Sequence, residues 1–156
     1  MRASCLAVLA SLLSLFGLAT PTSAQTWSAE QQAVLAVVQQ AWVDDLAEDL
    51  TWVERMAHPE VLSWGAEYPI SRDRATARRW DEYWDDNSTA LVHTIAPVGI
   101  VVRGDAAVVH YYAAVGSENW EGERETTTTR CADTLTRAGE TWRYLGWFCM
   151  DEPTRD

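Results

Sequence analysis

The chain has 156 residues, and its 12 basic residues, all of them arginine, are outnumbered by 23 acidic ones, which gives a formal net charge of −11 at pH 7. A chain this acidic repels the phosphate backbone of nucleic acids, so we expect no nucleic-acid partner. The length suits one domain with its own hydrophobic core, and a solvated surface accounts for the acidity.

The first 24 residues have the layout of a secretory signal peptide. A short positive start precedes an apolar run over residues 5–19, and the small residues at 22–24 suit cleavage. The apolar run is shorter than the roughly 20 residues that a bilayer-spanning helix needs, and no second run approaches that length. We therefore expect cleavage near Ala24, a single domain over residues 25–156, and a secreted or periplasmic protein without a stable membrane span. An uncleaved N-terminal anchor is the alternative.

Helical patterns fill the first half of residues 25–156. In the first helix, Val34, Val38 and Trp42 recur at intervals of four residues and so lie on one side. Serine and aspartate side chains suit helix N-termini, because they accept the N–H groups of the first turn. The predicted helices cover residues 29–47 after Ser28, 50–57 after Asp49 and 72–86 after Ser71, with a short strand at residues 61–64.

Strand patterns fill the second half. Leu91, His93 and Ile95 alternate with other residues and are expected on one face of a strand. The sequence Arg103-Gly104-Asp105 is typical of a hairpin turn. The predicted strands cover residues 89–95, 98–102, 106–115, 124–137 and 141–150. Helices first and strands last indicate an α+β fold with helices on one side of an antiparallel sheet.

Two cysteines, Cys131 and Cys149, lie in the last predicted hairpin. In an oxidising compartment such a pair invites a disulfide. A three-residue loop at residues 138–140 would place the two cysteines diagonally on one face, about 7–8 Å apart and too far to bond without a bulge. A two-residue loop would put them on opposite faces. A disulfide and two buried free thiols both remain open.

Four segments together resemble the NTF2-like superfamily, in particular its SnoaL-like domains. They are Asp49-Leu50 between the first two helices, the sequence WDEYWDDN at residues 80–87, the hairpin sequence GDAAVV at residues 104–109, and Thr129-Arg130 followed by Arg137, Gly139 and Trp142. The match covers nearly all of residues 25–156. The resemblance implies an α+β cone, in which about three N-terminal helices pack on a curved, mostly antiparallel sheet around a pocket.

That fold does not settle a function, because the same cone hosts isomerases, polyketide cyclases, dehydratases, transport factors and oligomerisation modules. The association domain of calcium/calmodulin-dependent kinases shares several of the features, but it normally ends in a strand that bears histidine. Here that strand reads Gly146-Trp147-Phe148-Cys149.

Tryptophan is the strongest compositional signal, since all nine tryptophans lie in residues 25–156. They predict an aromatic cavity for a small apolar or planar ligand, or else a core filled with bulky residues. The candidate ligand-binding residues are Trp80, Trp84, Tyr111 and Arg130. One of the adjacent Tyr111 and Tyr112 must face inward, and the resemblance favours Tyr111. It also implies that Arg130 points into the cone, where it would bind a carboxylate; a surface ion pair with Glu123 or Glu125 is the alternative.

Two residues are candidate catalytic groups. His93 is expected to face the helices, where a neutral imidazole can act as a general base, although a hydrogen-bonded core histidine is the alternative. Asp133 can act as a base, as a carboxylate does in the isomerases and cyclases of this fold. In a regular strand it lies on the face opposite Arg130, so both line one pocket only if a bulge intervenes. The tyrosine and two aspartates of steroid isomerases cannot be placed, which disfavours that chemistry.

Neither a metal nor a cofactor is expected, because the histidines lack ligand spacing and no phosphate-binding or nucleophile motif occurs. The favoured hypothesis is an exported protein that binds a small apolar or carboxylate-bearing ligand, with cofactor-free isomerase, cyclase or dehydratase activity left open. The alternative is a non-catalytic homodimerisation or interaction module. Its sheet would be buried against a partner, which would explain why residues 106–115 are apolar on both faces apart from His110.

Overall fold

A computed structural model describes residues 25–66 and 69–153, so the expected signal peptide lies outside the described residues. The elements are α1 (Ala29–Leu46), α2 (Trp52–Met56), β1 (Trp64–Gly65), α3 (Arg74–Asn87), β2 (Ser88–Arg103), β3 (Ala106–Asn119), β4 (Arg124–Ala138) and β5 (Thr141–Asp151). The strands form one sheet in the order β1-β5-β4-β3-β2, in which β1 is parallel to β5 and every other pair is antiparallel. The predicted α+β order is confirmed.

The helix starts follow local capping chemistry. Ser28 and Gln31 form a reciprocal capping box at the start of α1, as the sequence predicts for Ser28. The start predicted for α3 is wrong by two residues, because Asp73 rather than Ser71 accepts the first-turn N–H, from Thr76 at 2.8 Å. Two backbone hydrogen bonds between Ser63 and Arg72 hold the preceding segment extended, so the helix begins only after it.

The second helix is shorter than predicted. The Asp49 carboxyl accepts the backbone N–H of Thr51 at 3.0 Å and its hydroxyl at 2.7 Å, which forms a turn before the helix, and α2 starts at Trp52. No helix within residues 25–66 or 69–153 has both the length and the apolar character needed to cross a membrane.

Pro97 does not divide β2 into the two predicted strands. It lies on the edge strand of the sheet, and the ladder to β3 continues on both sides of it with an extra residue at Val98. Proline is tolerated at such an edge bulge because it has no N–H to donate. A second extra residue, Leu91, is 45% exposed, so it does not share the buried side with His93 and Ile95 as predicted.

The core lies between α1 and the inner face of the sheet. At the end of this layer nearest the β2–β3 and β4–β5 turns, small aliphatic side chains fill the space. This "packed end" consists of Val34 and Val38 from α1, Ala107 and Val109 from β3, and Leu135 from β4, each at most 1% exposed. The helix is anchored there by Gln31, whose side chain donates to the Ile100 carbonyl at 2.7 Å.

A bulge in β5 explains the disulfide. The β4–β5 loop has two residues rather than the predicted three, with Ala138 paired to Thr141. That register alone would put the cysteines on opposite faces, but Leu145 is an extra residue that shifts β5 by one position. Cys131 and Cys149 are therefore direct neighbours and form a disulfide.

Candidate functional site

A cavity of about 530 Å³ lies at the other end of the layer, between the helices and the inner face of the sheet. We call it the "hollow end". Five tryptophans from five different elements line it, namely Trp42, Trp52, Trp64, Trp84 and Trp147. Trp64 and Trp84 are about half exposed, so they lie where the cavity opens to solvent. The other three rings, those of Trp42, Trp52 and Trp147, each contact another aromatic side chain. The centroids of Trp52 and Trp147, for example, are 5.5 Å apart.

A carboxyl group lies at the floor of the cavity. Asp133 is 1% exposed and lines the cavity together with Tyr111. The Tyr111 hydroxyl donates to Asp133 Oδ2 at 3.0 Å, and the Trp42 indole N–H donates to the Tyr111 oxygen at 3.0 Å. An indole can only donate, so this chain of hydrogen bonds has one direction, from α1 through β3 to the carboxyl on β4.

Burial raises the pKa of Asp133 to about 7, and hydrogen bonds from the hydroxyls of Tyr111 and Tyr144 lower it by less. Burial, together with the adjacent Asp133, raises the pKa of both tyrosines, so the two hydroxyls stay protonated donors at neutral pH. The second carboxyl oxygen, Asp133 Oδ1, has no hydrogen-bond partner of regular geometry in the described part of the chain. Asp133 can therefore gain or lose a proton near neutral pH.

Three more carboxyl groups line the cavity. One is Asp151, and the other two, which lie nearer solvent than Asp133, have a raised pKa. Partial burial raises the pKa of Asp45, on α1, to about 6, and the nearby Asp85 adds to the effect. Burial likewise raises the pKa of Asp81, on α3, to about 7, against the opposing effects of a hydrogen bond from Trp52 and the charge of Arg72. Asp45 is exposed to solvent, but it also lines the cavity, and the surrounding cavity atoms remove part of its hydration.

Several solved structures are similar to this chain. They include a ketosteroid isomerase-like protein from Erwinia carotovora atroseptica, with 11% identity over 82% of this chain and 100% of that chain and a TM-score of 0.73. An NTF2-like protein from Cytophaga hutchinsonii has 13% identity over 80% of this chain and 100% of that chain, with a TM-score of 0.69. The chain has the NTF2-like fold. The CaMKII hub of S. rosetta also shares it, with 16% identity over 81% of this chain and 100% of that chain and a TM-score of 0.67.

Identities this low show a common NTF2-like fold and nothing finer. No protein-family model matches the sequence, and the search of curated proteins found no match. Among residues 25–66 and 69–153, no group of three or more histidine, cysteine, aspartate or glutamate side chains is placed to hold a metal ion.

Three of the six predicted site residues line the cavity of this NTF2-like fold, namely Trp84, Tyr111 and Asp133. The other three do not. Trp80 packs edge-on against Tyr83 at 5.5 Å between ring centroids and is not part of the cavity wall. His93 contacts Trp42, with ring centroids 6.0 Å apart, on the inner side of β2, but it also lies outside the wall.

The inward placement that the family resemblance implies for Arg130 is wrong. Its guanidinium lies on the outer face of the sheet, 3.0 Å from Glu152 Oε1, and its side chain is 53% exposed. The reason is strand alternation: β4 has no extra residue between Arg130 and Asp133, so residues three apart point to opposite faces. Arg130 therefore forms a surface ion pair, which was the alternative, but its partner is Glu152 and not Glu123 or Glu125.

Sequence reasoning missed the two carboxyls nearer solvent. Neither Asp45 nor Asp81 is among the candidate residues that the sequence predicts. The sequence of α3 contained a usable signal. Asp81 and Trp84 follow the buried Ala77 at intervals of four and three residues, so the three share one helical face. A charged residue on the apolar face of a helix indicates either a partner or a site.

Proposed function

We propose that this protein binds a small, mostly apolar organic molecule at the hollow end and that Asp133 exchanges a proton with it. The main support is a carboxyl group that is 1% exposed, lines an aromatic cavity and has one oxygen without a hydrogen-bond partner of regular geometry among the described residues. A buried polar atom without a partner is costly, so its presence beside a cavity favours a ligand that supplies the missing hydrogen bond.

The proposed chemistry is acid–base catalysis of the kind that a SnoaL-like isomerase, cyclase or dehydratase uses. A general base works best when its pKa lies near the working pH, and the raised pKa of Asp133, about 7, meets that condition. Tyr111 and Tyr144 would hold the carboxylate in place after it has lost the proton. The apolar walls would exclude water from the reacting carbon.

Hydrogen–deuterium exchange into a ligand tests this proposal without a known substrate. We would incubate the protein in D₂O with a panel of small cyclic ketones and follow loss of the proton next to the carbonyl by NMR. We expect exchange above the buffer rate for at least one ketone, and a roughly 10²-fold to 10⁴-fold loss in Asp133→Asn, which cannot accept the proton.

Glu140→Gln is the matched control, because it also removes one carboxylate but lies exposed in the β4–β5 turn. Its exchange rate should equal that of the unchanged protein. Equal rates in Asp133→Asn and the unchanged protein would contradict a role for Asp133, and absence of exchange with every ketone would contradict proton transfer to this class of compound.

A second candidate function is association through the outer face of the sheet, and one observation favours it. Apolar side chains on that face are exposed, among them Val98, Val101, Val108, Tyr112 and Phe148, each between 38% and 58% exposed. An apolar surface of this kind often marks a protein interface. A homodimer buried through this face is therefore the alternative proposal.

Sedimentation equilibrium would decide between monomer and dimer. Tyr112→Glu places a charge in the middle of the outer face, and we expect it to shift a dimer to monomer. If the unchanged protein is monomeric at all concentrations tested, the association proposal fails, while ligand binding at the hollow end is unaffected.

We also propose that the chain is exported and cleaved near Ala24. The Cys131–Cys149 disulfide supports this, since structural disulfides persist in oxidising compartments. Intact-mass measurement of the protein recovered outside the cytoplasm should give a chain that starts at Gln25 and is two hydrogens lighter than the reduced form. A chain that retains Met1, or free thiols, would contradict the proposal.

A further inference from the structure

The charges that line the cavity are mostly negative. Four aspartates contribute to its wall, namely Asp45, Asp81, Asp133 and Asp151, against one arginine, Arg72. The arginine lowers the pKa of Asp81, so its charge is already directed at one of the four carboxyls. The expected arginine for a carboxylate-bearing ligand, Arg130, lies on the other face of the sheet. A negative ligand would therefore meet a wall of its own sign.

Asp45 has no cationic partner within the described residues. The nearest arginine along the chain, Arg55, forms ion pairs with Asp44 at 3.0 Å and with Asp49. The neighbouring charge that acts on Asp45 is another carboxylate, Asp85. Carboxylates that lose hydration without gaining a cation destabilise the unliganded protein, and a bound cation would remove that penalty.

The aromatic walls suit the same kind of ligand. The face of an indole ring carries negative charge density, and tryptophan is the best aromatic partner for an ammonium group. Trp52 donates a hydrogen bond to Asp81, so an indole and a carboxylate lie side by side in the wall. Trp84 follows Asp81 on the same face of α3. Aromatic rings beside carboxylates are a common arrangement for binding amines and quaternary ammonium groups.

An independent observation comes from the floor of the cavity. Asp133 is 99% buried, since only 1% of it is exposed, and its Oδ1 atom has no hydrogen-bond partner of regular geometry among the described residues. This oxygen can accept a hydrogen bond, so it favours a ligand that carries a hydrogen-bond donor. A ligand that brings a positive charge and a hydrogen-bond donor would therefore suit both the carboxyl groups of the wall and the Oδ1 atom at the floor.

We propose that the hollow end binds an organic cation, a molecule with an ammonium group on a small apolar body, and that the ammonium lies between Asp45, Asp81 and the tryptophan rings. The inference rests on the proposed ligand-binding function and specifies its ligand class. It replaces the carboxylate-bearing ligand that the sequence suggested for Arg130. The body would extend toward Asp133 and present a hydrogen-bond donor to Oδ1, which keeps the positive charge apart from the proposed reacting group.

Three probes that share a benzyl group test the charge preference. They are benzyltrimethylammonium, its neutral isostere neopentylbenzene, in which carbon replaces the nitrogen, and phenylacetate. Binding is measured with the protein isolated from its own host, as the change in tryptophan fluorescence when each probe is added. We expect the cation to bind at least about tenfold more tightly than the neutral isostere and phenylacetate to bind most weakly.

Substitutions at Asp45 and Asp81 test whether these two carboxyl groups cause the preference for the cation. The double substitution Asp45→Asn and Asp81→Asn should bring the affinity for the cation to within about threefold of the neutral isostere, while the affinity for the isostere stays unchanged. Glu140→Gln, which removes a carboxylate at the packed end, should retain the full preference. Circular dichroism confirms that each variant is folded.

The outcomes separate the two proposals. If the neutral isostere binds as tightly as the cation, or phenylacetate binds best, the cation inference is overturned and the ligand-binding function stands. If none of the three probes binds, both proposals are overturned. If the cation binds tightly but the double variant keeps the full preference, the placement at Asp45 and Asp81 is overturned.

Discussion

The packed end and the hollow end share α1, β3 and β4, yet they differ in side-chain type, exposure and packing. At the packed end, valine and leucine from α1 and β4 meet with no measurable exposure. At the hollow end, one to two turns further along α1, Trp42 and Asp45 replace the aliphatic residues, and a cavity of about 530 Å³ remains.

The difference shows how one layer can divide its tasks. Aliphatic side chains interdigitate and fill space, whereas large flat rings in T-shaped or tilted contacts leave a gap between them. Polar groups that would be costly in the packed end collect where a ligand or water reaches them. We therefore expect substitutions at the packed end to act mainly on stability, and those at the hollow end mainly on binding and on pH dependence.

The largest effect on stability is expected for Leu135→Ala at the packed end. Leu135 has no measurable exposure, so its truncation leaves an enclosed void and should lower the free energy of unfolding by about 2–5 kcal/mol. Trp84→Ala removes a larger side chain at the hollow end but should lower it by about 1 kcal/mol, because Trp84 is 47% exposed and no closed void forms. Denaturant titration measures both, and equal losses would contradict the division.

The next effect concerns the contact between β5 and the segment that leads into β1, whose Trp64 lines the hollow end. A methyl group at Gly146 of β5 would lie 2.5 Å from the backbone oxygen of Leu62, which is part of the segment leading into β1. Because backbone cannot yield as a side chain can, Gly146→Ala should destabilise the protein by about 1–3 kcal/mol. Gly99→Ala is the matched control, since nothing lies within 4 Å of the added methyl, and it should change stability by less than about 0.5 kcal/mol.

The pH dependence of stability should report on Asp133. Its folded pKa is about 7 and its ordinary value is 3.8, so between these values the folded protein holds a proton that the unfolded chain has lost. The free energy of unfolding should therefore fall as the pH rises from about 4 to about 7 and level off above. Asp133→Asn should make this slope shallower without removing it, because Asp45 and Asp81 contribute in the same direction.

Tyr111→Phe provides the opposite change. The Tyr111 hydroxyl lowers the pKa of Asp133, so its removal should raise that pKa and extend the falling part of the curve above pH 7. Thermal or denaturant unfolding at a series of pH values measures both variants. Parallel curves for the unchanged protein and Asp133→Asn would show that Asp133 has an ordinary pKa.

The smallest effect is expected for Arg130→Ala on the outer face. Arg130 forms an exposed ion pair with Glu152, and exposed pairs contribute little to stability. We expect a change in the free energy of unfolding of less than about 0.5 kcal/mol and no change in binding of any cavity probe. Loss of binding in this variant would mean that the outer face, and not the hollow end, takes the ligand.

Local patterns were sufficient to predict the framework of the fold. The spacing of Val34, Val38 and Trp42 gives the inner side of α1, and Ser28 marks its start. Strand alternation gives Asp133 an inward orientation once Leu135 is assigned to the core. These features depend only on residues that are neighbours in the sequence.

The remaining features depend on contacts between distant segments. The extra residues at Leu91, Val98 and Leu145 have no distinctive residue type, so the register shifts that they cause could not be predicted. The inward placement of Arg130 was taken from a family resemblance against the alternation of its own strand. The raised pKa of Asp81 arises from burial among residues of other elements, which the sequence of α3 alone does not reveal.

The single extra residue at Leu145 determines both the disulfide and one wall of the cavity, because it sets the orientation of Cys149 and Trp147. In a regular ladder without this bulge, the same residues would alternate strictly along β5, and the rest of the strand would be turned over. Trp147 and Cys149 would both move to the outer face, so the covalent bridge and one wall of the cavity would vanish in the same event. Deleting Leu145, by contrast, would leave Trp147 opposite Asp133 and Cys149 opposite Cys131, so relatives that keep this cavity should have either the bulge or a β5 one residue shorter.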